Sequence, residues 1–134
     1  MLKSHQKVAL YMEGFLHSDY GKMGLGVVRY LQNPILGIID SQHAGSNINK
    51  EHLIDRDIPI YEKLDQVIAK GAEVLLLGIS PSGGKIPDSW LPLIEEALAC
   101  GLSVVNGLHD TLAHRYTHLI QSSKPWIWDV RIPQ

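Results

Sequence analysis

The sequence VVNGLHD, residues 104–110, decides the fold, because an apolar run of strand-forming residues ends at a glycine and is followed by a histidine and an aspartate. Three further apolar runs give way to polar turn formers in the same manner, at 35–39, 72–77 and 126–130. The carboxyl ends of parallel strands face one crevice in an open α/β sheet. These polar turns, far apart in sequence, are therefore expected to converge on one site.

Strands and helices are predicted to alternate along the whole chain. The apolar runs predict strands at 8–12, 35–39, 72–77, 102–105 and 126–130, with a short edge strand at 58–60 because it contains Pro59. Helical spacing of apolar residues occurs at 24–31, 61–70, 88–100 and 110–121. Asp88 or Ser89 is expected to cap the third helix and Asp110 the fourth, whereas 41–50 is predicted to be a loop without periodicity. The alternation predicts an α/β fold, a Rossmann-like three-layer sandwich with a mostly parallel sheet.

Composition favours one small-ligand domain over residues 1–134. Twelve basic and fourteen acidic residues give a net charge of −2 without a basic cluster, which argues against nucleic acid as a partner. The single cysteine, Cys100, is expected to be a buried, unreactive thiol. No stretch has the length of a signal peptide core or a membrane span, so a cytoplasmic protein without membrane contact is expected.

A glycine-rich turn follows the first predicted strand. Gly21, Gly24 and Gly26 have the spacing G-x-x-G-x-G, which differs from the dinucleotide fingerprint G-x-G-x-x-G, and Met23 stands where a Walker A loop has Ser or Thr. Two explanations stay open for these glycines, an anion bound at the helix N-terminus or close packing of the helix. Lys22 is the residue of this turn predicted to contact a ligand anion, since a cation at a helix N-terminus otherwise opposes the helix dipole.

The end of the second predicted strand carries Asp40-Ser41-Gln42-His43-Ala44-Gly45. Asp40 lies near the position at which nucleotide-binding folds place an acidic group for a ribose hydroxyl, but it can equally cap the following turn. His43 is a candidate general base or hydrogen-bond donor to a ligand anion. Ser41 and Gly45 are included as candidate ligand contacts.

Two later strand ends complete the predicted site. Hydroxyls and successive amides after the 72–77 strand form either an anion nest or a plain turn, with Gly78, Ser80, Ser82, Gly83 and Gly84 as candidate ligand contacts. The ends of the last two strands add Asn106, Gly107, Asp110, Asp129 and Arg131. His109 is the strongest single catalytic candidate, with His43 the second.

No metal site is predicted, and no cofactor is identified. His114 and His118 have the i, i+4 spacing of two zinc ligands. Both lie opposite the apolar stripe of their predicted helix, and no glutamate follows His114 as it does in H-E-x-x-H. They are therefore interpreted as solvent-facing side chains.

Four motifs taken together resemble the N-terminal Rossmann-like domain of the D-glutamate N-acetyltransferase (DgcN-like) family, long classed as a domain of unknown function. They are IDSQHAG at 39–45, GISPSGGKIP at 78–87, NGLH at 106–109 and IWDVR at 127–131. The resemblance covers residues 8–133 and keeps the family's order. It implies that a C-terminal P-loop domain usually follows, whereas no Walker A sequence occurs here.

The leading functional hypothesis is a module that binds a small anionic or nucleotide-like ligand within an enzyme completed by a second domain or partner. The first alternative is an autonomous N-acyltransferase acting on an acidic amino acid such as D-glutamate, with His43 or His109 as general base. The second is a homo-oligomeric assembly domain that pairs through Trp126, Trp128 and the edge at 58–60.

Overall fold

The computed structural model of the chain describes residues 2–79, 85–107, 116 and 125–130. Within them one sheet contains six strands, β1 (Val8–Tyr11), β2 (Ile35–Ile39), β3 (Ile60–Tyr61), β4 (Val74–Leu77), β5 (Ser103–Asn106) and β6 (Ile127–Asp129). The strands are ordered β3-β2-β1-β4-β5-β6, and each pairs in parallel with its neighbours. This is the strand order of a Rossmann sheet, with the switch in chain direction between β1 and β4. The prediction of a Rossmann-like α/β fold is confirmed, and β3 lies at the edge as Pro59 indicated.

Four α-helices lie in the described part of the chain, α1 (Lys22–Tyr30), α2 (Ile48–Glu51), α3 (Leu64–Ile68) and α4 (Leu91–Ala99). Three of them fall on predicted helical segments. The helix predicted at 110–121 lies outside the described residues. No described helix combines the length and the apolar character needed to cross a bilayer.

The prediction of an irregular loop at 41–50 is wrong. Residues Ser41–His43 form a 3-10 turn capped by Asp40, whose side chain accepts a hydrogen bond from the Gln42 amide. The short helix α2 then begins after Asn47, whose side chain accepts from the Asn49 amide. Capping side chains rather than apolar periodicity specify these two short helices, so a search for periodicity does not detect them.

Two details of the α4 region also differ from expectation. Asp88 and Ser89 do not cap the helix: they lie in a 3-10 turn, Asp88–Trp90, and the N-cap is Trp90 with no side-chain hydrogen bond. Pro92 stands in the first turn, as predicted, where its missing N–H costs no helical bond. Cys100 is exposed rather than buried, because it follows the last buried residue of α4, Leu98.

The core is formed by the central strands and the helices that cover both faces of the sheet. All four residues of β1 and of β4 are buried. A segment of the β2–β3 connection also supports α1: the Arg56 guanidinium donates to the carbonyls of Val28 (2.9 Å), Leu31 (3.0 Å) and Asn33 (3.3 Å). Arg56 thereby satisfies carbonyls at the C-terminus of α1 that have no partner within the helix.

Candidate functional site

Two loops meet at the carboxyl end of the sheet, meaning the side at which the parallel strands end. The backbone N–H of Met12, just after β1, donates to the carbonyl of Ile39 in β2 (3.0 Å). The N–H of Gly14 donates to Oδ1 of Asp40, just after β2 (3.2 Å). Backbone and side-chain bonds together therefore fix the two loops against each other.

Asp40 is a fully buried carboxylate whose oxygens are both bonded within the chain. Its Oδ1 accepts from the N–H groups of Gly14 and Gln42 (3.3 Å), and its Oδ2 lies 2.6 Å from Nδ1 of His43. Because an ionised carboxylate only accepts, the His43 ring donates from Nδ1, and its Nε2 is directed away from Asp40 toward Glu51. The turn-capping role considered for Asp40 is thus present, and its contact with a ligand stays a prediction.

Around His43 lies a group of side chains, His17, Glu51 and His52, that the sequence analysis did not identify. His17 Nε2 lies 3.0 Å from Glu51 Oε1, and His43 Nε2 lies 3.7 Å from the same oxygen. The His17 ring stacks on His52 with centroids 4.6 Å apart and meets His43 edge-on at 4.9 Å. His52 Nε2 donates to the Leu16 carbonyl (2.9 Å).

Glu51 is held in its ionised form by this group. The Ser46 hydroxyl donates to Oε2 (2.6 Å) and His17 to Oε1, and these hydrogen bonds lower the pKa of Glu51 below its ordinary value. The residues were missed because Glu51 lies on α2, in the segment predicted to be irregular, and His17 in the first loop. The contacts join residues far apart in sequence, and no short motif predicts them.

Two predicted contacts in the 41–45 segment have structural roles. The Glu13 carboxylate accepts from both the N–H (2.8 Å) and the hydroxyl (2.6 Å) of Ser41, so it anchors the start of the 3-10 turn. Gly45 has a φ of 91°, which favours glycine, and its N–H donates to the Ile60 carbonyl of β3 (2.9 Å). Whether Ser41 and Gly45 also contact a ligand stays a prediction.

The glycine-rich turn packs α1 closely on the sheet. A Cβ on Gly24 would lie 2.7 Å from the carbonyl oxygen of Gly78, which already accepts a hydrogen bond from the Gly24 N–H (2.9 Å). A Cβ on Gly21 would collide with the Phe15 carbonyl oxygen, whereas one on Gly26 would meet nothing within 4 Å. Close packing thus explains Gly21, Gly24 and Gly78 without a ligand.

Lys22, the first residue of α1, extends into solvent with 78% of its side chain exposed. Its Nζ lies 3.7 Å from Oδ1 of Asp19, which is also exposed. A pair so exposed holds neither side chain firmly. Lys22 is therefore accessible to an anion, and its role as a ligand contact stays a prediction.

Toward the opposite edge of the sheet, the last residues of β5 and β6 form a polar pair. Asn106 Nδ2 donates to Asp129 Oδ1 (2.8 Å), and both residues are buried. Gly107 follows, and a Cβ there would touch the Met23 sulfur at 3.4 Å. The structure brings these three predicted residues together at the carboxyl end of the sheet.

A groove of about 410 Å³ opens beside the ends of β1 and β2. Its charged lining residues are Glu13, Glu62, Lys63, Asp65 and Glu96. Burial and then the charge of Glu13 raise the pKa of Tyr11, also in the lining, to about 12, so its phenol stays protonated at neutral pH. The groove is acidic and suits an amino group better than an anion.

Several predicted site residues lie outside the described residues. They are Ser80, Ser82, Gly83, Gly84, His109, Asp110 and Arg131, together with the histidine pair His114 and His118. Their predicted roles rest on the sequence alone.

Comparison with known proteins connects this chain and its fold to one family. The profile of a Rossmann-like domain of unknown function, DUF1611_N, matches residues 41–133. The crystal structure of a DUF1611 family protein from Anabaena variabilis superposes with a TM-score of 0.90 at 36% identity, over 97% of this chain and 38% of that chain.

Two curated relatives are named D-glutamate N-acetyltransferase. The protein from a Pseudoalteromonas species is 38% identical over 65 residues, which are 47% of this chain and 20% of that protein. The protein from Tritonibacter scottomollicae is 25% identical over 114 residues, 84% of this chain and 32% of that protein. This chain therefore spans between a fifth and a third of the length of these relatives.

The profile match covers more than half of the chain, and the sequence motifs had pointed to the same group of proteins. The chain belongs to the DUF1611_N family of Rossmann-like domains.

Proposed function

We propose that the carboxyl end of the sheet binds a small ligand with an anionic group, and that this chain supplies the site to an acetyltransferase-type enzyme. A second domain or a partner completes that enzyme. The observation that carries the proposal is the hydrogen bond between the buried Asp40 and the partly accessible His43, at the point where the loops after β1 and β2 meet. A carboxylate-oriented imidazole is a common device for holding a ligand or moving a proton.

The charges around the site favour an amino acid over a polyphosphate as the ligand. Glu13, Glu62, Asp65 and Glu96 line the groove with one lysine, Lys63. Such a groove repels phosphate groups and attracts an ammonium group. The anionic part of the ligand is assigned to His43 and Lys22, with the 80–84 segment and His109 as sequence-based contacts.

The relatives support the reaction class. Proteins named D-glutamate N-acetyltransferase transfer an acetyl group to the amine of an acidic amino acid, a substrate with both an ammonium group and carboxylates. Because this chain spans only 20% and 32% of those proteins, we assign it ligand binding and leave the acetyl donor to the remainder of the enzyme.

Thermal unfolding of the 134-residue chain tests ligand binding. We expect D-glutamate to raise the unfolding temperature, since a ligand at one hundred times its Kd stabilises by roughly 2.7 kcal/mol. L-glutamate, acetyl-coenzyme A, ATP and phosphate are measured in parallel to resolve the ligand class. A shift with ATP alone would replace the amino acid by a nucleotide, and no shift with any compound would contradict the proposal.

Matched variants locate the site. His43→Gln is expected to abolish the ligand-induced shift, whereas His5→Gln, at an exposed histidine near the start of the chain, is expected to retain it. In the same manner, Lys22→Ala is expected to reduce the ligand-induced shift, whereas Lys50→Ala is expected to retain it. Equal shifts in all four variants would place the ligand elsewhere.

An activity assay separates the proposal from the autonomous enzyme. The chain alone, with D-glutamate and acetyl-coenzyme A, is expected to release no coenzyme A thiol above the uncatalysed rate. Turnover that His43→Gln removes would favour the autonomous N-acyltransferase. Light scattering on the same sample tests the homo-oligomer, which requires a mass above that of the 14.9 kDa chain.

A further inference from the structure

Three side chains from separate segments direct potential ligand atoms at one point near the carboxyl end of the sheet. His17 lies in the loop after β1, His43 in the turn after β2, and Glu51 at the end of α2. One ligand atom from each side chain lies within 4.8 Å of those of the other two. Glu51 Oε1 lies 3.0 Å from His17 Nε2 and 3.7 Å from His43 Nε2.

We propose that His17, His43 and Glu51 bind a divalent transition-metal ion, with zinc as the best-fitting ion. Two imidazoles and one carboxylate are a donor set that zinc takes in proteins. Donor atoms 2.0–2.1 Å from a tetrahedral ion lie roughly 3.3 Å apart. The distances of 3.0 and 3.7 Å from Glu51 Oε1 to the two histidine nitrogens bracket that value.

The residues around these three side chains are those expected around metal ligands. A ligand histidine usually donates its other ring N–H to a carboxylate, and His43 donates Nδ1–H to the buried Asp40. A ligand carboxylate is usually hydrogen-bonded too, and the Ser46 hydroxyl donates to Oε2 of Glu51, which leaves Oε1 for the ion.

Ion binding requires only a local change at His17. Its Nε2 donates to Glu51 Oε1, so the ring must carry its proton on Nδ1 instead when Nε2 binds the ion. His17 is 46% exposed, so the ring can exchange its proton with water and the ion can enter. Three protein ligands leave a fourth position for water or for an anionic group of a bound molecule, as in catalytic zinc sites.

The sequence predicted no metal site, and a metal ion goes beyond the proposed function: with the ion bound, His43 would reach the anionic group of the ligand through the ion. The only histidine pair considered as zinc ligands from the sequence was His114 and His118, at i, i+4. The ligands proposed here, His17, His43 and Glu51, have 25 and 7 residues between them. No zinc motif has that pattern. Metal binding is measured with the metal alone, so its failure and the failure of ligand binding are separate outcomes.

The test is a titration of the chelator-treated 134-residue chain with Zn²⁺ by calorimetry and with Co²⁺ by visible absorption. The expected result is one ion per chain and the strong absorption of four-coordinate Co²⁺. We expect His17→Ala, at an exposed position that folding tolerates, to weaken binding at least tenfold, and Glu51→Gln to do the same. His5→Ala, the exposed control histidine, should bind as the unmodified chain does.

The metal affinity of Ser46→Ala distinguishes a built site from an incidental surface site. Loss of a group that orients a ligand typically lowers metal affinity by about 10-fold to 100-fold, although Ser46 itself does not touch the ion. The proposal is overturned by a titration without stoichiometric binding, or by binding that His17→Ala leaves unchanged. Loss of binding in the double variant His114→Ala/His118→Ala, with normal binding in His17→Ala, would also overturn it.

Discussion

Oδ2 of Asp40 lies 2.6 Å from Nδ1 of His43, and the Asp40 side chain is completely buried while His43 remains partly accessible. The carboxylate therefore orients the His43 imidazole and has no direct contact with solvent. It also accepts the Gly14 and Gln42 N–H groups, so one side chain fixes both the ring orientation and the two loops at the carboxyl end of the sheet.

Asp40→Asn should lower stability. Both carboxylate oxygens of Asp40 accept hydrogen bonds, whereas the asparagine NH₂ group cannot accept, so at least one of the three donors would lose its partner. Hydrogen bonds to charged groups contribute about 1.5–3 kcal/mol, so we expect the free energy of unfolding to fall by roughly 2 kcal/mol. Urea denaturation at neutral pH measures the change. Asp55→Asn, at an exposed aspartate, is the matched control and should change stability by less than about 0.5 kcal/mol. Equal losses in the two variants would contradict the role assigned to Asp40.

Alanine substitutions at Gly24 and Gly26, two glycines of α1, should change the free energy of unfolding in opposite directions. A Cβ on Gly24 would lie 2.7 Å from both the Gly78 carbonyl oxygen and the Met12 side chain, and such overpacking costs about 1–3 kcal/mol. Gly26→Ala meets open space, so the better helix propensity of alanine should stabilise by up to about 1 kcal/mol. Denaturation midpoints of the two variants measure the contrast. Stabilisation by Gly24→Ala would show that the close approach of α1 to β4 is not required.

The strand pattern was predictable because the central strands β1, β4 and β5 are buried on both faces and each apolar run ends at a polar turn. Apolar runs such as 35–39 and 72–77 are therefore recognisable as strands, and their parallel pairing followed from the alternation of strands and helices. The capped segments did not carry such a signal: α2 is four residues long and depends on Asn47, so it has no apolar period to detect.

The candidate site was predictable only in part, for a physical reason. Asp40, Asn106 and Asp129 stand at strand ends, so the topology alone predicts that they lie at the carboxyl end of the sheet. Glu51 and His17 join the site through side-chain hydrogen bonds between separate loops, and their positions depend on how those loops pack. The ambiguity at the glycine-rich turn could be reduced only when the neighbours of Gly24 were known.

Arg56→Lys should destabilise the chain although the charge is conserved. The guanidinium reaches three carbonyls, those of Val28, Leu31 and Asn33, with two different nitrogens. A lysine ammonium lacks this fork, so at least one carbonyl loses its partner and we expect a loss of about 1–2 kcal/mol in urea denaturation. Arg29→Lys is the control, since Arg29 is exposed in the last turn of α1, and it should be nearly neutral. A neutral Arg56→Lys would mean that water replaces these bonds without cost.

Glu51→Gln should reduce stability at neutral pH and lose this effect in acid. Hydrogen bonds from Ser46 and His17 lower the pKa of Glu51, so the carboxylate is bound more favourably in the folded chain than its protonated form. A group with a lowered folded pKa contributes stability that is fully present above its unfolded pKa, here near 4.5, and is lost as pH falls through the folded pKa. Urea denaturation with a chelator present, at pH 7 and at several pH values below 4.5, should therefore show a gap between the two proteins that narrows in acid. For Glu62→Gln, at an exposed glutamate, the difference in free energy of unfolding from the unmodified chain should not change with pH. A difference for Glu51→Gln that also stays constant with pH would mean that the Glu51 carboxylate is not selectively stabilised in the folded state.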